Sequence, residues 1–493
     1  MYHKIFQSPR LLEIENHLRE GGTLLFEGLW NSPKALLAHL ASQATGKHIL
    51  LLTGASLEEV RLFQDFNFFT DRPVVDFPAW ETLPSENIPP SPDIVGERYQ
   101  ALGKILESKT PHLVITSLQA CLQKLILPAR FQSLHLEGKT GGKLSFEGMI
   151  ERLKSAGYER KAVASDKGEY AVRGGIIDFY PVSSPDPFRV EFFGDEIESI
   201  RIYDPIGQKS IRQVDSFDLL PGQELELLKE ENSFASILDY LGKETLIVLD
   251  DLLALEDRYA SLMQISGAGP HFYSIEEWMQ LSESFQKIYL ADQPIEELSE
   301  VRVEGSKAGY YSGSSKQIGF EMFGRKLSAL RVPSPFQTCA DILTSEEEPT
   351  GQELLAALGH LEKDSWDVTL LCESETEEMK VQQQLADMGL HLPKHSRYEI
   401  GYLSSGFTLQ EEKVLLFPMT EVTHRFKIRQ QKQRSTYHST ESEVQDLVQG
   451  DLVVHFNHGI GKFLGIEKKP NHLGALSEFF SIEYAEGGKL FVP

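Results

Sequence analysis

Gly168-Glu-Tyr-Ala-Val-Arg-Gly-Gly-Ile-Ile-Asp-Phe-Tyr-Pro181 and Phe188-Arg-Val-Glu-Phe-Phe-Gly-Asp-Glu-Ile-Glu-Ser-Ile-Arg-Ile-Tyr203 read as strands of one small antiparallel sheet. Successive side chains of a strand point to opposite faces. Residues 189–193 therefore send Val190 and Phe192 to one face and Arg189, Glu191 and Phe193 to the other. Gly194-Asp195 suits a tight hairpin with glycine at its first central position, and Gly174-Gly175 can bring Arg173 alongside the same outer face. Spacing leaves two readings of that face open: a solvated sheet with an ordinary cross-strand Arg-Glu pair, or a surface presented for contact.

Outward from this sheet, helix-period and strand-period segments alternate. Leu11-Leu-Glu-Ile-Glu-Asn-His-Leu18 has apolar residues at helical spacing. His48-Ile-Leu-Leu-Leu52 and His112-Leu-Val-Ile-Thr116 are short apolar runs suited to buried parallel strands. Residues 1–130 thus read as an α/β domain, interrupted by an irregular Pro-rich connection at 84–92. The sheet module spans 131–220. The α/β character returns over 221–334, with Thr245-Leu-Ile-Val-Leu249 as a buried strand, so the module reads as inserted into, or hung from, the first fold. A small α/β domain follows at 335–423, with helices at 351–361 and 374–388, the second capped by Ser374. Residues 424–447 form a linker, in which 425–434 hold five cations and no acid. That run reads as a nucleic-acid arm or as a solvated helix end. Residues 448–493, rich in β-branched and aromatic residues with Gly turns, suit a small β-barrel.

At roughly 150 residues per domain, a length of 493 predicts three or more domains. A net charge of -25 argues against a broad nonspecific nucleic-acid surface, since neutralising phosphates requires clustered Lys and Arg. Cys121, Cys339 and Cys372 are widely separated, which indicates neither a disulfide framework nor a zinc ribbon and suits a reducing compartment. The first residues lack a signal-peptide core and no apolar run reaches membrane-spanning length. A cytoplasmic protein without a membrane partner is expected.

Gly28-Leu-Trp-Asn-Ser-Pro-Lys-Ala35 follows a strand-like run and has the spacing of the phosphate loop G-x-x-x-x-G-K-[ST]. Pro33 stands where a glycine belongs and lacks the N–H that cradles phosphate, while Ala35 replaces the hydroxyl that holds Mg²⁺. Lys34 alone cannot rebuild the site. Leu246-Ile-Val-Leu-Asp250-Asp251 is an apolar strand ending in carboxylates, as in nucleotide hydrolases, or else a strand-end cap. Gly28, Pro33, Lys34, Ala35 and Asp250 accordingly form a degenerate nucleotide site. His455 and His458 have no Cys or acidic cluster beside them, so no metal site is assigned. No catalytic residue is assigned either.

The sheet module resembles the second domain of bacterial transcription-repair coupling factors (the Mfd family) and the matching domain of the excision-repair helicase UvrB. Asp76-Phe-Pro-Ala-Trp-Glu-Thr-Leu-Pro84, with Asp93-Ile and Arg98 after it, is similar to the coupling factors' first domain. Gly450-Asp-Leu-Val-Val-His-Phe-Asn-His-Gly-Ile-Gly-Lys-Phe463, ending in Lys489-Leu-Phe-Val-Pro493, is similar to their RNA-polymerase interaction domain. The landmarks fall in the coupling factors' order, and UvrB has no polymerase-binding module of that type.

This resemblance implies a multidomain α/β protein. It would comprise a UvrB-like degenerate helicase-type domain with an inserted antiparallel sheet module, a small α/β domain and a C-terminal CarD/Tudor-like β-barrel. The chain would be an amino-terminal portion, with ATP, Mg²⁺ and most DNA contact belonging to a translocase motor beyond it, and no cofactor here. The implied role is an adaptor of transcription-coupled nucleotide excision repair. UvrA would bind at Arg173, Arg189 and Phe193, and the RNA polymerase β subunit by strand addition at Ile466, Glu467, Lys468 and Lys469. The alternative is a fragment of a UvrB-like nucleotide-dependent helicase that binds damaged DNA. Residues 83–98, where UvrB carries an aromatic DNA-gripping hairpin, are shorter and contain no Tyr.

Overall fold

The computed structural model describes residues 5, 7–54, 56–82, 88–108, 110–266, 269–292, 316–319, 326–344, 349–361, 365–423, 448–455, 459–470, 476–484 and 489–492. The 424–447 linker with its basic run, His458, and 83–87 of the Pro-rich connection lie outside them. The chain divides into two units, Met1–Gln430 and Gln431–Pro493.

In the first unit, eight strands form one sheet in the order Lys316–Gly319, Lys326–Pro333, Leu24–Glu27, Gln286–Ala291, Thr245–Leu249, His48–Thr53, Leu113–Ser117, Val74–Phe77. Neighbours run parallel except the first pair. Strands buried on both faces favour apolar residues at successive positions, which is why the central strands His48–Thr53, Leu113–Ser117 and Thr245–Leu249 read as hydrophobic runs. Their alternation divides two cores. Leu25, Leu50, Leu52, Val114 and Ile247 face one; Leu24, Phe26, Ile49, Leu51, Ile115 and Val248 face the other, with the helices Asn31–Thr45 and Ser56–Phe69.

The intervening stretch forms a six-stranded sheet, ordered Ser210–Val214, Glu196–Tyr203, Phe188–Phe193, Ile176–Phe179, Glu169–Arg173, Glu159–Arg160. Its apolar face, including Ile177, Val190, Phe192 and Ile200, packs on Met149 and Leu153 of the helix Phe146–Ser155. Gly174 and Gly194 turn its hairpins at φ 61° and 62°, backbone that L side chains rarely adopt. The helix Pro92–Glu107 seats this sheet. A Cβ at Gly96 would fall 2.1 Å from the Val182 carbonyl oxygen, and Lys167 pairs with Asp93 at 2.7 Å. Two residues beyond Gly96, fully buried Arg98 pairs with Glu224 at 2.8 Å and lies 4.3 Å over the Phe77 ring.

A four-stranded sheet follows, ordered Arg397–Ile400, Asp367–Cys372, Val414–Pro418, Phe407–Leu409. Ser374 caps the helix Glu375–Asp387 by accepting the Glu377 N–H at 3.3 Å. The helix expected over 351–361 ends earlier, at Ala357, and tightens into the 3₁₀ turn Leu358–His360. Among the described residues no helix is long and apolar enough to cross a membrane. The second unit is an antiparallel meander of Leu452–His455, Gly459–Pro470, Leu476–Glu483 and Lys489–Val492.

Candidate interaction surfaces

Residues paired across a sheet share a face. Arg173 pairs with Ile176, Ile176 with Glu191, and Glu191 with Ser199. The next row runs Ala171, Asp178, Arg189, Arg201. Arg173, Arg189 and Phe193 therefore belong to one face, as alternation and the Gly174-Gly175 turn suggested. Phe193, at the hairpin end of its strand, is 79% exposed.

Arg189 lies on the outer face, and its guanidinium is paired there with an aspartate. Its Nε and Nη2 donate to both carboxylate oxygens of Asp178 at 2.7 and 2.8 Å, and Nη1 donates to the Gln208 carbonyl at 3.2 Å. The guanidinium also stacks 5.0 Å from the Tyr203 ring centre. Asp178 is 1% exposed and Arg189 16%; the hydrogen-bonded Asp178 carboxylate pushes the Arg189 pKa up. Residues 161–167 lie partly across this face: Arg173 donates to the Ala162 carbonyl at 3.3 Å and Tyr203 to that of Ala164 at 2.6 Å. A cross-strand Arg-Glu pair is present too, between Arg201 and Glu191 at 3.1 Å. The face thus carries one firmly held guanidinium, that of Arg189, the exposed Arg173 and a bare aromatic ring. The sequence reading missed Asp178; its signal was a lone carboxylate inside the apolar run Ile176-Ile-Asp-Phe179.

At residues 28–35, read in the sequence as a degenerate phosphate loop, Gly28 adopts φ 73° between the strand Leu24–Glu27 and the helix Asn31–Thr45. Pro33 lies in the helix's first turn, where no intrahelical N–H is required, and Ala35 is wholly buried. Lys34 Nζ sits 2.7 Å from Asp250 and 2.6 Å from Asp292. Burial pulls the Lys34 pKa down, but the two carboxylates more than offset it, so the ammonium stays charged. Asp292 was missed, although it ends an apolar strand just as Asp250 does. Asp251 instead caps the next helix by accepting the Ala254 N–H at 3.3 Å. Beside Lys34, Ser32 Oγ donates to Asp65 at 3.0 Å and accepts the Ser405 N–H at 3.0 Å. The Ser404 N–H and Oγ donate to the same Asp65 at 2.6 and 2.5 Å. Burial pushes the Asp65 carboxyl up to about 7 against those hydrogen bonds. Among the described residues no group of three or more His, Cys, Asp and Glu is arranged to hold a metal ion.

In the second unit, Ile466, Glu467, Lys468 and Lys469 pair with Phe480, Phe479, Glu478 and Ser477. The ladder to Leu452–His455 ends at Lys462. Among the described residues no strand pairs with the other edge of 464–470. Ile466 is 56% exposed, and a register shift between Phe463 and Gly465, with Gly465 at φ 128°, bends the strand there. The side chains of His455, Lys468 and Lys469 lie outside the described residues.

Comparison with known proteins adds two domains and a set of relatives. Residues 136–225 match the UvrB interaction domain, and 447–493 match the CarD-like/TRCF RID domain. The transcription-repair-coupling factor of Bacillus subtilis is 25% identical over 99% of this chain and 46% of its own length. That of Escherichia coli is 25% identical over 93% of the chain and 43% of its length; that of Staphylococcus aureus strain MRSA252 is 23% identical over 98% and 46%. The chain spans less than half the length of these curated relatives.

Proposed function

Because the chain carries a UvrB interaction domain and a CarD-like/TRCF RID domain and is similar along nearly its whole length to transcription-repair-coupling factors, we propose that it is an adaptor of transcription-coupled DNA repair. In this reading the six-stranded sheet is a module inserted into a UvrB-like α/β domain and recruits UvrA through Arg173, Arg189 and Phe193. The C-terminal meander is a small CarD/Tudor-like β-barrel that binds the RNA polymerase β subunit. Its edge at 464–470, which no strand pairs among the described residues, suits strand addition, in which backbone hydrogen bonds supply affinity and side chains such as Ile466 supply specificity. ATP hydrolysis and DNA translocation belong to the remainder of the longer relatives. Here Lys34 is spent on Asp250 and Asp292, and Pro33 and Ala35 lack the groups that hold phosphate and Mg²⁺.

The observation that carries the reading is a large exposed ring on the same sheet face as Arg173 and Arg189, inside the segment that matches the UvrB interaction domain. Aromatic and Arg anchors of this kind dominate interface energies. The test is a paired measurement of UvrA affinity and melting temperature for Phe193→Ala and Arg173→Ala. Phe193→Ala is expected to weaken UvrA binding by roughly thirtyfold, about 2 kcal/mol, with melting unchanged. Full affinity in both variants would return the face to an ordinary solvated sheet.

A further inference from the structure

We propose that the lost nucleotide site has become a socket for this chain's own Ser404-Ser405 turn, which takes the ground in front of the helix Asn31–Thr45 where phosphates would lie. In a working phosphate loop, the free N–H groups of that helix's first turn face an anion. Here the Ser32 N–H faces the Ser405 hydroxyl at 3.4 Å, and the carboxyl group at this position is Asp65, bound to Ser32 on one side and Ser404 on the other. Ser32, Asp65, Ser404 and Ser405 are all buried.

The turn is held on its own side as well. Thr420 Oγ1 donates to the Leu403 carbonyl at 2.9 Å, and the Gly406 N–H donates to Glu421. Apolar contacts frame the polar plug: Leu403 and Phe407 share one core with Ala35, Leu36 and Phe66, and Phe407 lies 6.3 Å from Phe69 and 5.2 Å from Phe336. A buried polar cluster is costly unless its members are satisfied together, and when satisfied it fixes one arrangement of the parts it joins. Apolar packing alone tolerates sliding; the Ser32, Asp65, Ser404 and Ser405 network sets the register of residues 335–423 on the eight-stranded sheet. The 335–423 domain thereby gains a role independent of any adaptor activity, as the piece that fills and closes the vacated site.

The test uses the full chain in a double-mutant cycle of Asp65→Ala and Ser404→Ala, read by hydrogen exchange. Each single substitution is expected to speed exchange about tenfold or more at two places, the first turn of Asn31–Thr45 and residues 402–406. The strand Asp367–Cys372 should be unaffected, and the double variant should be no worse than the worse single. Additive effects, or exchange that rises only on the substituted side, overturn the proposal. A second variant stands even if those unfold. Pro33→Gly with Ala35→Thr restores the loop chemistry but leaves the plug, so calorimetry should find no ATP binding; ATP binding by that variant overturns the proposal as well.

Discussion

Arg189 and Phe193 lie four residues apart on one strand, yet their substitutions should behave differently. Phe193 leaves its ring in water, so its removal touches binding and no core. Arg189 neutralises a carboxylate that is almost wholly buried. Breaking such a pair from either end strands a charge and costs about 3 kcal/mol. Asp178→Ala is accordingly expected to lower the unfolding free energy of the sheet module by about that amount in urea titrations. It should also weaken UvrA binding without altering a contact residue, because Arg189 loses its anchor. Phe193 was legible in the sequence because strand alternation needs only local spacing. Asp178 was not, because its partnership with Arg189 depends on the register of two strands joined by a connection. A second residue-scale expectation concerns Asp65, whose pKa rises from an ordinary 3.8 to about 7, chiefly through burial, with Ser404, Ser32 and Arg61 opposing. Between those values the folded chain keeps a proton that the unfolded chain has released. The stabilisation is full below the lower value and is lost as pH rises through the higher. Unfolding midpoints at about pH 5 and about pH 8 should diverge less in Asp65→Asn than in the parent; an equal divergence would show that Asp65 does not titrate in this window.

At the scale of elements, the helix Pro92–Glu107 joins the six-stranded sheet to the eight-stranded one. Its contact at Gly96 leaves no room for a methyl group, since the obstacle is the Val182 backbone and not a flexible side chain. Gly96→Ala is expected to cost about 1–3 kcal/mol, with exchange accelerated at 181–183 in hydrogen-exchange mass spectrometry. Unchanged stability would mean that the two sheets meet more loosely. The parallel strands at 24–27, 48–53, 113–117 and 245–249 were readable as apolar runs because two-sided burial favours apolar side chains, whereas those at 74–77, 286–291 and 326–333 mix in polar residues and were not read. The helix begun at Gly351 overran its true end in the sequence reading, because apolar spacing continues while Gly359 lies against Leu390. The Ser404-Ser405 contact had no sequence signal at all: it joins residues more than 330 positions apart through common serines and one aspartate.

At the scale of the whole molecule, the order of strands in the eight-stranded sheet says something about how the chain is made. Leu24–Glu27 is the first strand to be synthesised, yet its two neighbours are Gln286–Ala291 and Lys326–Pro333, among the last of that sheet. A ribosome moving at roughly 5–20 residues per second needs roughly 13–50 s to cover the roughly 260 residues between this strand and the nearer of its two partners. Throughout that interval Leu24-Leu-Phe-Glu27 is an apolar strand with both edges unpaired, the condition that invites wrong partners. Nascent chains arrested near residue 240 should therefore bind holding chaperones and be cleaved readily in the 24–53 region, whereas chains released beyond residue 333 should resist. Early resistance would mean that another segment shelters the strand in the meantime. The stretch of chain that builds the six-stranded sheet, lying in sequence between strands of the eight-stranded one, thus also lengthens the time for which the birth of the first strand on the ribosome must be supervised.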